Sequence, residues 1–248
     1  MKETEIEIVS FVHKLPNEDR LRLTAELINN SSADILLFSG HTIGFVNDIE
    51  ILKDLIHNKN IEAFLELENI NSDKIGNCLY RVTNGKLKNL YTNQLFSASG
   101  QIENNYELAD RFLHELETKR NFSIKGFNTL VLQCGELNIL KNYQSEENRV
   151  EFRFNDDKDL KKRFDKLLKT SNLILNPIHT PMGNQGKMNK RRIYLSSQKR
   201  LYFSTSNTKE ESKNLKLESL QYAYFDGKPL KGTSKIKIDN SISRTYKV

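Results

Sequence analysis

One cysteine in this chain stands where chemistry is commonly done. Thr129-Leu130-Val131-Leu132-Gln133 is an apolar, strand-like run that stops at Cys134-Gly135-Glu136. A nucleophile at a strand end sits on a tight turn at the sheet edge, and Gly135 beside it frees the backbone and leaves room for substrate. A thiol attacks only as thiolate, so Cys134 needs a nearby base or positive field. The same position also suits an inert core residue. Other chemistries find less support. His13, His41, His57, His114 and His179 show no HxxxH or HxH spacing. Cys78 and Cys134 belong to no CxxC or Cys/His cluster, so no metal is expected. There is no GxGxxG or GxxxxGK[ST], and Gly40 and Gly44 are too sparse to cradle a phosphate, so no cofactor is expected either.

The formal charge is +6, and Lys187, Lys190, Arg191, Arg192, Lys199 and Arg200 match it within one acid-free stretch. Such a patch attracts phosphate or carboxylate, and Tyr194, Tyr202 and Phe203 offer stacking surfaces. It reads equally as a solvated loop and helix face. No apolar run approaches the roughly 18–20 residues that span a bilayer. The charged N-terminus leads straight into a strand and is not read as a signal peptide, so two reduced cysteines in a cytoplasmic protein are expected. Abundant Asn, Lys and Ile suggest an AT-rich, bacterial genome.

The elements that position Cys134 follow from apolar periodicity. Ile6–Val12, Ile35–Phe38, Ala63–Leu67, Asn128–Gln133, Leu173–Asn176 and Leu201–Ser204 read as strands. Asn17–Ile28, Ile49–Ile56, Tyr106–Thr118 and Asp157–Thr170 read as helices, and a basic helix or loop follows Pro177. Asn84-Gly85 between apolar runs predicts a hairpin, and Asp226-Gly227 a closing one that runs to Asp239. The tail from about residue 240 reads as an extended arm on a single domain spanning 1–248. Helices alternating with buried strands, plus hairpins, predict a layered α/β sandwich with a mixed sheet.

Leu132-Gln133-Cys134-Gly135-Glu136 resembles the nucleophile segment of the nitrilase (carbon–nitrogen hydrolase) superfamily. Other stretches fall in that family's order: Ala33–Phe38, Asn77–Tyr80 with Asn84-Gly85-Lys86 and Leu90-Tyr91, Ser171–Pro177, Arg191-Arg192 through Ser206-Asn207, and Phe225–Leu230. The resemblance covers nearly the whole chain and implies an α-β-β-α sandwich, a homodimer and a Glu-Lys-Cys catalytic set. Here Gly40 stands where the glutamate is expected and Asn93 where the lysine is. Glu103 matches a second family glutamate. Substitutes are at hand: His41 or Glu136 as base, Asn93 or Gln94 as oxyanion donor, and Glu66 or Glu68 as the missing carboxylate. Arg191 or Arg192 is placed to bind an acidic substrate.

Three functions follow. The first is a divergent hydrolase attacking a small amide or nitrile through Cys134. The second is an inactive nitrilase-like sensor or scaffold with a formed pocket, and the third is a nucleic-acid or nucleotide binder using residues 187–200. The missing charged partners favour the second, and the near-neutral remainder of the chain counts against the third.

Overall fold

A computed structural model describes residues 3–12, 15–45, 49–68, 77–143, 149–181, 183–208, 219–238 and 240–248. Its first sheet contains β1 (Glu5–Phe11), β2 (Ile35–Phe38), β3 (Ile43–Phe45), β4 (Glu62–Glu68), β5 (Cys78–Thr83), β6 (Lys86–Asn93), β15 (Ser234–Ile238) and β16 (Ser241–Lys247). Their order is β15-β16-β1-β2-β4-β5-β6, with β3 beside the end of β4. The second sheet contains β7 (Asn121–Ile124), β8 (Phe127–Val131), β11 (Leu173–Ile178), β12 (Leu201–Ser206), β13 (Gln221–Phe225) and β14 (Lys228–Pro229). It runs β14-β13-β12-β11-β8-β7, with β8, β11 and β12 parallel and the rest antiparallel. A separate pair joins β9 (Leu140–Tyr143) to β10 (Arg149–Phe152).

Alternation along the strands decides what each sheet faces. Ile6 and Ile8 of β1, Phe64 of β4 and Leu79 of β5 pack against Val131, Leu173, Leu175 and Phe203 of the second sheet. Val9 and Phe11, one residue out of phase, face the other way. They meet Ala25 and Ile28 of α1 (Asn17–Asn30) and Leu52 of α2 (Ile49–Leu55). The outer face of the second sheet, with Leu130, Ile174 and Tyr202, is covered by three helices. These are α4 (Tyr106–Lys119), α5 (Lys158–Thr170) and α6 (Gln185–Ser196), while α3 (Ser99–Ile102) leads into α4. The result is the four-layered α-β-β-α sandwich with mixed sheets that the sequence predicts. Helix starts carry the caps their sequences advertise. Asn105, Asp157 and Asn184 accept backbone N–H groups from Leu108, Leu160 and Lys187.

Several expectations are corrected. The chain after Asp226-Gly227 pairs back on β13 only through the two residues of β14, and Ser234–Ile238 instead joins the other sheet as β15. Asp239, the predicted end of that hairpin, lies outside the described residues. The tail is no free arm. As β16 it lies between β1 and β15, pairing Glu5 with Lys247 through Phe11 with Ser241, and this buries Ile242 and Tyr246. The basic stretch is helix α6 and its C-terminal turn, and it is solvated only in part, with Lys190 and Lys199 exposed and Lys187 half-buried. Arg191, Arg192 and Arg200 are buried, and Tyr202 and Phe203 are fully covered. Arg200 donates to the carbonyls of Leu195 and Tyr194 and of Leu168, which satisfies acceptors at the ends of α6 and α5. Half the basic residues and two of the three candidate stacking rings are thus committed to packing.

Candidate active site

Two parallel strands deliver two side chains to one point. In the register of β8 and β11, Val131 lies opposite Leu175, so the chain segments leaving the two strands run on side by side. Cys134 begins a 3-10 turn, Cys134–Ile139, beyond β8, and His179 follows the last residue of β11. Both lie just beyond strand carboxyl ends, where open α/β sheets build their sites.

The third group comes from the facing sheet. Glu66 of β4 shares the inward face with Phe64 and is fully buried. Its Oε2 lies 2.8 Å from His179 Nε2 and accepts the backbone N–H of His41 at 3.2 Å. Its Oε1 accepts from Gln133 Nε2 at 3.0 Å, and the same Gln133 amide also donates to the Asn77 carbonyl. The residue preceding the thiol therefore fixes the carboxylate that holds the histidine. Burial by itself would lower the His179 pKa. The Cys134 sulfur, within hydrogen-bonding range of the ring, and Glu66 outweigh burial through hydrogen bonding and negative charge, and together they raise the pKa to about 10. The placement between a sulfur and a carboxylate favours the charged form of the His179 ring. Cys134 itself remains partly exposed.

Two glycines are forced by close approach. A Cβ on Gly40 would sit 2.3 Å from His179 Cδ2 and 3.0 Å from Glu66 Oε2. The position expected to carry the family's glutamate is therefore filled by the His179 ring and the end of Glu66. A Cβ on Gly135 would lie 2.1 Å from the Ser97 carbonyl, so this glycine lets the turn after Cys134 pack against backbone. Asn207, just after β12, binds this corner together. It accepts from Phe11 N and Ser39 Oγ, donates to the Gly40 carbonyl at 2.9 Å, and gives its own N–H to the His179 carbonyl.

The other candidate residues are placed as follows. His41 packs edge-on against His179, with ring centroids 3.9 Å apart, and its Nδ1 lies 3.6 Å from Glu68 Oε1. Glu136, expected to assist the thiol, is instead fully buried against Arg120 at 2.6 Å and accepts N–H bonds from Gln133 and Leu95. Burial raises its carboxyl, opposed chiefly by Arg120. Asn93 and Gln94 turn their amides onto the carbonyls of Gln94 and Phe96, while Arg120 holds the Asn93 carbonyl. Glu103 is half-exposed and lies 3.8 Å from Arg153. Arg191 is held by Asn138 and Asn142, and Arg192 by Gln185 with its guanidinium 3.6 Å over the Tyr222 ring. Both are residues of α6, buried at its inner side. Burial, then the charge of Arg153, lowers the Arg191 pKa to about 10. Among the described residues no group of His, Cys, Asp and Glu is arranged to hold a metal ion.

His179 was missed by sequence reasoning. A signal existed, since Asn176-Pro177-Ile178-His179 puts a polar, titratable residue just past a buried strand, as Gln133-Cys134 does. Glu66 was singled out, but its partner was not.

Comparison with known proteins places the architecture. No family model and no curated protein sequence matches the chain. Among solved structures it is similar to a glutamine-dependent NAD(+) synthetase from Cytophaga hutchinsonii, at 14% identity and a TM-score of 0.61. That match covers 100% of this chain and 43% of the synthetase. It is similar to a CN-hydrolase superfamily protein from Xanthomonas campestris with an arsenic adduct in its active site (11% identity, TM-score 0.57, 99% and 91% covered). It is also similar to an amidase from Nesterenkonia sp. AN1 whose active-site cysteine carries the acetamide moiety of fluoroacetamide (11% identity, TM-score 0.57, 99% and 90% covered). The fold is nitrilase-like, shared with these structures at 11–14% identity. The chain spans less than half the length of the synthetase and about nine tenths of the other two. No helix among the described residues is long and apolar enough to cross a membrane.

Proposed function

We propose that this protein is a thiol hydrolase of carbon–nitrogen bonds in small amides or nitriles, with Cys134 as nucleophile and His179, held by Glu66, as its acid–base partner. The observation that carries this reading is the Cys134–His179–Glu66 line, assembled across two sheets beside Gly40, where the resemblance calls for a glutamate. A base that orients a nucleophile and is itself oriented by a buried carboxylate is the arrangement activated nucleophiles need. His179 lies where it can take the thiol proton and later return it.

With an amide, the thiolate sulfur bonds to the carbonyl carbon and the oxygen takes the negative charge. As that charge collapses back, the C–N bond breaks and His179 gives its proton to the departing nitrogen. This leaves a thioester and a neutral imidazole. Water then attacks the thioester while His179 takes one of its protons. The C–S bond breaks, the thiolate returns and a carboxylic acid leaves. Protons balance over the cycle, and Glu66 stabilises the imidazolium at both ends of it.

A second reading, a nitrilase-like binding protein without turnover, is favoured by Asn93 and Gln94. Their amides face backbone carbonyls, so the oxyanion donor that the family's lysine supplies is not replaced by either. A panel of small amides and nitriles separates the two, with ammonia release as readout. Hydrolysis that vanishes in Cys134→Ala while the substrate still binds supports the hydrolase. Binding without ammonia release in the wild type, unchanged in Cys134→Ala, supports the binding protein. Homodimerisation, which the resemblance implies, is part of the proposal and is checked by the solution mass.

A further inference from the structure

His41 is over-determined in a way the proposed mechanism does not use. Its backbone lies in the left-handed region (φ 49°), which costs a residue with a side chain free energy unless its surroundings hold it there. Three contacts hold it. Its N–H donates to Glu66 Oε2, and its carbonyl accepts from Arg20 Nη1 at 3.0 Å and from Asn207 Nδ2 at 3.4 Å. That backbone aims the ring edge-on at His179, 3.9 Å between centroids and 66° between planes. The same Glu66 oxygen therefore receives His179 from one side and the His41 backbone from the other.

We propose that the His41 side chain is a positioning residue: its ring, packed edge-on, fixes the plane of the His179 ring, so that one imidazole serves Cys134 and Glu66 at once. This rests on the Cys134–His179–Glu66 reading above. The groups facing the His41 ring are His179, Glu66, Glu68 and Arg20. Burial, then the charge on His179, lowers its pKa from 6.5, against the pull of Glu66 and Glu68. A neutral ring packs against the imidazolium, whereas a protonated one would set two like charges 3.9 Å apart.

The test is the alkylation rate of Cys134 from about pH 5 to pH 9 in wild type, His41→Asn and His41→Phe. Asn tolerates a positive φ and keeps the N–H to Glu66 while removing the ring. Phe keeps a ring edge that cannot be charged. Expected is a loss of about tenfold to a hundredfold at pH 7 in His41→Asn, the range for a small misplacement of reacting groups. His41→Phe should hold a rate near that of the wild type and keep it to lower pH. A His41→Asn rate equal to wild type, or a His41→Phe rate no better than His41→Asn, overturns the proposal. Ring NMR titration of the wild type tests it without any variant. His41 should titrate below 6.5 while His179 stays protonated, and two rings titrating together near 6.5 would overturn it. Wild-type Cys134 labelling like a free thiol would instead remove the underlying hydrolase reading, and so the two failures are distinguishable.

Discussion

At the scale of single residues, the site is defined as much by an absent side chain as by those present. Gly40 occupies the position where the family resemblance calls for a glutamate, and any Cβ there would collide with the His179 ring. A carboxylate reaches this corner from another element, since Glu66 arrives from β4 and meets His179 from beyond β11. Gly40→Ala is therefore predicted to push the His179 ring off Glu66 and to lower Cys134 reactivity, with an overpacking cost of about 1–3 kcal/mol in urea unfolding. Full Cys134 reactivity in a stable Gly40→Ala protein would show that the ring has room the structure does not give it. The cysteine and its glycine were legible from local pattern alone, because strand-end nucleophiles need both. His179 was not, because what marks it is its neighbour across a strand pair 45 residues apart.

Elements explain where Glu136, which looks catalytic in sequence, is held. The turn after β8 winds into the 3-10 segment Cys134–Ile139, which carries the Glu136 side chain back over Gln133 N–H and onto Arg120. Arg120 in turn holds Thr92 Oγ1 and the Asn93 carbonyl, clamping the end of β6 to the cysteine turn. This pair is a staple between elements, and no local sequence pattern reveals a partner 16 residues away. Glu136→Gln leaves Arg120 a buried charge without its counter-ion, so a loss of about 3–5 kcal/mol in stability is expected. Cys134 labelling in the folded fraction should stay near wild type. A stable Glu136→Gln protein with an unreactive thiol would return Glu136 to the chemistry. Strand and helix identities were legible where periodicity was strong, as in α4, α5, β2 and β11. The destination of Ser234–Ile238 was not, since a hairpin after Gly227 and a crossing to the other sheet look alike in a short alternating run.

For the whole molecule, the sandwich brings together groups that neither sheet holds alone. Cys134 and His179 stand at the carboxyl ends of β8 and β11 in the second sheet. Glu66 reaches them from the first, and Asn207 ties Phe11, Ser39 and Gly40 to the His179 backbone. A nitrilase-like fold thus places His179 and Glu66 around Cys134. The most direct measurement is the pH dependence of iodoacetamide labelling at Cys134 by mass spectrometry, in wild type and His179→Gln. Cys78, buried and with its thiol pKa raised by that burial, is the internal reference. The account predicts rapid Cys134 labelling near pH 6.5, well below the range of about 8.5 in which free thiols ionise. It also predicts a drop of roughly 10²–10⁴ in His179→Gln, the usual worth of a positioned acid–base group. A wild-type profile rising only near pH 8.5, or an unchanged rate in His179→Gln, would contradict it.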